Sequence, residues 1–191
     1  MGEEPFHDSP QLLGTTTFGT AYAGERSAWA TPGALQSALT LHTGYAHRPY
    51  GDVVSDLTRH RAWYGTQGVF LGQVSAGTEE LGCYERLAAV ARALGCGPLV
   101  LNHGTQPHPA YAAPADLLVT FEGPWATYGR TPPRSRADPS GVPQAHLVYG
   151  VPAGADVAGA VRERGAAVHC AVPGAGAHLW GTLPIGLASA R

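Results

Sequence analysis

Side chains capable of acid–base or hydrogen-bond chemistry recur at matching places along this chain, each just after a short apolar run. His42 and Thr43 follow "SALTL", Gln73 follows "GVFLG", Asn102 and His103 follow "GPLVL", Glu122 follows "LLVTF" and Tyr149 follows "HLV". A carboxylate such as Glu122 can bind a hydroxyl-bearing ligand or move a proton. Imidazole is the side chain suited to acid–base work near neutral pH, so Glu122 with His42 or His103 makes a candidate acid–base pair. The amides of Gln73 and Asn102 offer hydrogen bonds but no proton transfer. Structural roles compete with these readings: Glu122 as a surface carboxylate ahead of Trp125, Asn102 as a turn-maker, each lone histidine as a satisfied structural group. His146 and His169 stand inside strand patterns and read as structural. Tyr45, Trp125 and Tyr128 carry rings that can stack on a sugar, whereas Trp63 sits in a helical pattern and reads as packing.

These residues need elements that bring them to one place. The chain offers six strand-like runs, near residues 38–42, 68–73, 98–102, 117–121, 146–150 and 167–171, with helical patterns between several of them. In "GDVVSDLTRHRAWYG" Val53, Val54, Leu57, Arg61 and Tyr64 share one helical face. In "TEELGCYERLAAVARALG" Leu81, Tyr84, Leu87, Ala88, Ala91 and Leu94 repeat at helical spacing, behind a Thr78 cap and ahead of a Gly95 stop. A third helix is expected around Asp156 to Arg164. The strand runs are continuously apolar rather than alternating, the mark of a parallel sheet covered on both faces. An α/β barrel or a doubly wound sheet fits, and polar residues at the carboxyl ends of successive strands favour the barrel, whose chemistry collects at that end.

Composition sets the outer bounds. The 191 residues suit one domain, 1–191, with a weakly patterned segment over 1–36. A net charge of −2, and basic residues that are all arginine and scattered, give no footprint for nucleic acid or an anionic membrane. The start "MGEEPFHDSPQLLG" has neither a basic n-region nor an apolar run, and no stretch approaches the roughly 20 apolar residues of a membrane span, so a cytoplasmic, soluble chain is expected. Cys83, Cys96 and Cys170 are odd in number and lack C-x-x-C spacing, which argues against a disulfide framework or zinc ribbon. No His, Asp and Glu cluster stands at ligand spacing, so neither metal nor cofactor is expected.

The segments "TLHTGYAHRPYGDVVSDLTRHRAWYGTQGVFLGQVS", "LVLNHGT", "ADLLVTFEG" and the closing "LPIGL" resemble spherulation-specific family 4, the spherulin 4 family. It is related to barrel glycoside hydrolases acting on galactosaminogalactan-type exopolysaccharides. The resemblance covers about residues 37 to 187 and implies a TIM-type (β/α) barrel, shortened or incomplete at its N-terminus. Where the family's second matched strand ends in Asp-Glu, this chain has Gly72 and Gln73, while Glu122 stands at the family's remaining acidic position. Glycoside hydrolysis usually needs two carboxyls, so the pairing implied here lacks one.

Three functions follow. The first is a hydrolase-like barrel without glycosidase chemistry that binds a carbohydrate or small polar ligand through Thr43, Tyr45, Gln73, Asn102 and Trp125. The second is an enzyme of different chemistry using Glu122 with His42 or His103. The third is an active glycosidase with relocated carboxyls; Asp116 lies at the wrong end of its strand for that, and Asp138 and Glu79 stand in loops or at helix starts. A homo-oligomer would cover the sheet edges that a shortened barrel leaves.

Overall fold

Each apolar run forms a strand, and the strands pair in the order in which they are made. The computed structural model describes residues 39–65, 67–130, 141–176, 179–182 and 184–185. Its strands are β1 (Leu39–His42), β2 (Val69–Gly72), β3 (Leu99–Asn102), β4 (Leu117–Pro124), β5 (Gln144–Tyr149) and β6 (Val168–Ala171). The helices are α1 (Tyr50–Tyr64) after β1, α2 (Leu81–Ala93) after β2, the single turn α3 (Trp125–Tyr128) after β4 and α4 (Val157–Glu163) after β5. All five strand pairings are parallel and the sheet order is β1-β2-β3-β4-β5-β6. A doubly wound sheet reverses its order at a switch point; this one moves steadily in one direction, as a barrel does. The segment 1–38, with the expected N-terminal shortening, lies outside the described residues, as do Asp138 and most of "LPIGL".

Both faces of the sheet are apolar, which is why its strands do not alternate in sequence. On the outer face Leu41, Val69, Leu71, Leu99, Leu101 and Leu118 meet Val53 and Leu57 of α1 and Tyr84, Leu87, Ala88 and Ala91 of α2. Further along, Val148 and Ala171 meet Tyr128, Val157 and Val161. The inner face holds Val100, Leu117, Val119, Ala145, Leu147, Cys170 and Val172. Truncating a buried leucine such as Leu57 in cores like these costs about 2–5 kcal/mol.

The helices depart from expectation in detail. In α1 the buried positions are Val53, Leu57 and His60, while Tyr64 is 59% and Trp63 66% exposed. The series 53, 57, 60 is as helical as 53, 57, 61, 64, and it turns the last aromatics to solvent, where Arg59 lies 5.8 Å over the Trp63 ring. Thr78 does not cap α2: Glu80 holds that position, and Thr78 contributes its carbonyl to the Leu81 N–H. The third expected helix is α4, where the Asp156 carboxylate accepts from the Gly159 N–H at 2.8 Å.

Candidate functional site

Strands β3 and β4 deliver a carboxylate together with the group that orients it. Asn102 ends β3; its Nδ2 donates to Glu122 Oε2 at 2.6 Å, and its Oδ1 accepts from the Gly104 N–H at 3.0 Å. The second bond decides the first. A backbone N–H can only donate, so the amide oxygen is held toward Gly104 and the NH2 group is left facing Glu122. Gly104 makes the turn possible with φ of +66°, in the left-handed region that glycine enters freely, and its carbonyl accepts from the Glu122 N–H at 3.1 Å. Asn102 is therefore both the turn-maker and the polar partner that the sequence left as alternatives. Glu122 is exposed, so its carboxylate is oriented yet open to a ligand.

A register shift decides that Glu122 faces inward. Val119 pairs with Ala145 but Phe121 pairs with His146, so Thr120 is an extra residue in β4. Thr120 and Phe121 both turn outward, and Glu122 then falls opposite Leu147 on the inner face. The bulge is pinned by a buried hydrogen bond, the Thr120 hydroxyl donating to Gln144 Oε1 at 3.0 Å. Bulges commonly re-aim a side chain beside a site.

At the neighbouring strand ends, His42 of β1 stands in register with Gly72 of β2. A Cβ on Gly72 would lie 3.0 Å from His42 Nδ1; the imidazole, exposed toward solvent, occupies the room that a side chain at 72 would need. Gln73 follows, exposed, with φ of +55°, beside three successive left-handed residues, Gly44, Tyr45 and Ala46, at +58°, +56° and +65°. Such a backbone costs an L-residue about 1–2 kcal/mol. It is held by interlocking bonds: Tyr45 N–H to Gln73 O at 2.7 Å, Ser75 Oγ to Tyr45 O at 3.0 Å, and Thr43 Oγ to the carbonyls of Gly72 and Gln73 at 3.1 and 2.6 Å. Those carbonyls can only accept, so the Thr43 proton goes to them and Tyr84 O–H donates to Thr43 at 3.0 Å.

The other candidates divide accordingly. His42, Gln73, Asn102 and Glu122 open onto the carboxyl end of the sheet, and Tyr45, 53% exposed, stands beside Gln73. Thr43 is 1% exposed and clamps the β1 and β2 ends together. His103 turns to the outer side: its Nδ1–H donates to Ser75 O at 2.8 Å, and its ring lies edge-on to Tyr111 at 4.6 Å. Burial holds the His103 pKa down to about 4, against weaker opposing help from the backbone around Ser75. It is a neutral brace between the β2 and β3 ends, and the structure does not bring it to Glu122. Trp125 packs beside Tyr128 in the outer core, and Tyr128, fully buried, shares a 2.7 Å hydrogen bond with His146 Nδ1. Asp116 lies at the amino end of β4, accepting from the Leu99 N–H at 2.8 Å and facing Arg92.

Tyr149, one of the strand-end residues read from the sequence, is joined by Trp180, which the sequence reading did not single out. Tyr149 ends β5 opposite Pro124, and Trp180 returns over it in a 3₁₀ turn, Leu179–Gly181, with ring centroids 6.1 Å apart and nearly perpendicular. The place of Tyr149 after a strand run was its signal; Trp180 had none, because only the chain's return after β6 brings it near. Among the described residues Glu122 makes no ion pair, and no group of three His, Cys, Asp or Glu could hold a metal ion. No helix among them is long and apolar enough to cross a membrane.

A sequential parallel sheet with its polar groups gathered at the carboxyl end defines an α/β protein of the barrel type. The crystal structure of Aspergillus clavatus Sph3 in complex with GalNAc shares this fold, with a TM-score of 0.60 and 23% identity over 75% of this chain and 66% of that one. Residues 40–176, well over half the chain, match spherulation-specific family 4, and the chain belongs to that family. Spherulin-4 of Physarum polycephalum is 34% identical over 84 residues, which are 43% of this chain and 25% of Spherulin-4. The chain thus spans a quarter of that relative and just under two thirds of Sph3.

Proposed function

We propose that this chain binds a carbohydrate at the carboxyl end of its sheet and does not hydrolyse it. The observation that carries this reading is that the β2 strand end offers Glu122 no second carboxyl. Its carboxylate is oriented by Asn102 and open to solvent, while β2, on the far side of β3, ends in Gly72 and is followed by an amide, Gln73. Two carboxyls about 5–5.5 Å apart serve retaining glycosidases and about 6.5–9.5 Å inverting ones; here the second is missing from the β2 end. An oriented carboxylate and amides remain well suited to sugar hydroxyls. The complex of Sph3 with GalNAc supports a sugar as the ligand class.

The test has two parts. Titration with GalNAc should show saturable binding that Glu122→Gln weakens while shifting stability by no more than the ~0.5 kcal/mol typical of surface substitutions. Incubation with galactosamine oligomers should release no reducing ends above buffer. Release that Glu122→Gln abolishes would establish a glycosidase instead. A second reading, an enzyme of different chemistry pairing Glu122 with His42, rests on the exposed imidazole that fills the space over Gly72. It calls for turnover of a small polar substrate that His42→Gln and Glu122→Gln each remove.

A further inference from the structure

We infer that Tyr149 and Trp180 form a stacking platform for the bound sugar ring, on the side of Glu122 away from Asn102; this rests on the carbohydrate reading above. The sheet order places Asn102 on β3, Glu122 on β4 and Tyr149 on β5. Glu122 is in register with Leu147, and Tyr149 lies two residues further on, opposite Pro124 and on the same inner face. At strand spacing this puts the tyrosine roughly 7–8 Å from the carboxylate's position on the sheet, about the width of one pyranose ring.

Trp180 is built into place. A Cβ on Gly174 would run into the Leu179 carbonyl, so only glycine lets the turn carrying Trp180 lie this close, and the Gly174 N–H donates to Thr182 Oγ at 3.2 Å. Gly174 O in turn accepts from the Gly150 N–H at 2.8 Å, tying the turn to the residue after Tyr149. Both rings rest on the inner apolar layer yet stay partly open. The arrangement pairs an aromatic corner, in which one ring offers its face and the other supports it edge-on, with an adjacent oriented carboxylate. A pyranose needs both: hydroxyls around its rim and C–H groups on its faces. In a galacto-configured ring the 4-hydroxyl is axial, and C3–H, C4–H and C5–H make one apolar patch that fits an aromatic face.

Saturation-transfer NMR of the full chain with GalNAc tests this. Irradiating aromatic protons should give the strongest transfer to H3, H4 and H5 of the sugar. Trp180→Leu and Tyr149→Leu should each weaken binding by about tenfold, and Trp180→Phe, which keeps a ring, by no more than about twofold. Transfer confined to the N-acetyl methyl, or wild-type affinity in Trp180→Leu, overturns the platform; if Glu122→Gln still weakens binding, the carbohydrate reading stands without it. No GalNAc signal from the wild type overturns both. The transfer pattern in the wild type decides the matter even if a leucine variant fails to fold.

Discussion

The β1–β2 ends and the β3–β4 ends of the sheet face the same opening but are built on different plans. At β3–β4 a charged group is fixed by its surroundings: Asn102 orients Glu122, Gly104 orients Asn102, and the Thr120–Gln144 bond pins the bulge that turns Glu122 inward. At β1–β2 the side chains carry no carboxylate, and the strain sits in the backbone, where Tyr45, Ala46 and Gln73 hold positive φ. Strain of this kind persists only where neighbouring contacts over-determine it, and it gathers at sites that bind or react. One end thus fixes a carboxylate through the side chains around it, and the other fixes a backbone and leaves the His42 imidazole over Gly72.

The brace between the two regions should give the largest effect. His103 ties the β3 end to Ser75 beyond β2, and burial lowers its pKa from 6.5 to about 4. The unfolded chain takes up a proton below 6.5 that the folded chain refuses until about 4. Stability contributed by the neutral, buried ring is therefore present above that window and lost as pH falls through it, by roughly 2 kcal/mol on reaching pH ~4.5. Urea melts across this range should show a shallower loss for His103→Gln. Identical pH dependence would mean that the brace is not a buried neutral histidine.

A smaller effect tests the fixed side alone. Thr120→Val keeps the shape but removes the donor to buried Gln144, so it should cost about 1–2 kcal/mol and weaken GalNAc binding through Glu122, with His42 and Gln73 undisturbed. Unchanged binding in a destabilised Thr120→Val would separate the bulge from the site. The smallest effect has the opposite sign. Ala46→Gly relieves about 1–2 kcal/mol of left-handed strain against the ~0.5–1 kcal/mol of added unfolded-state freedom, so a thermal melt should show a gain of about 0.5–1 kcal/mol. A loss of stability there would show that the loop is not strained as its φ values indicate.

Much of this was legible in the chain itself. Six continuous apolar runs specify buried parallel strands, because a strand covered on both faces has no polar side to show, and the strands lie within a few residues of the runs. Motif order gave the family. The placement of individual side chains was less readable. His103 follows Asn102 directly and looked equally available for chemistry, yet adjacent strand-end residues point to opposite faces, and it was buried against Tyr111. Trp125 looked like a sugar-stacking ring and joined the outer core, while Trp180, which carried no signal, came over Tyr149.

Glu122 marks the boundary between the two kinds of information. The sequence by itself determined that a carboxylate ends an apolar strand, and hence that it lies at the sheet's carboxyl end. Strict alternation along "LLVTFEG" would place Glu122 on the same face as Leu118 and Thr120, toward the helices. Pairing with β5 inserts Thr120 as an extra residue, and one extra residue reverses the facing of everything after it. Whether that carboxylate meets Asn102 or the outer core is thus set by a register between two strands more than twenty residues apart, held by a hydrogen bond that no local pattern encodes.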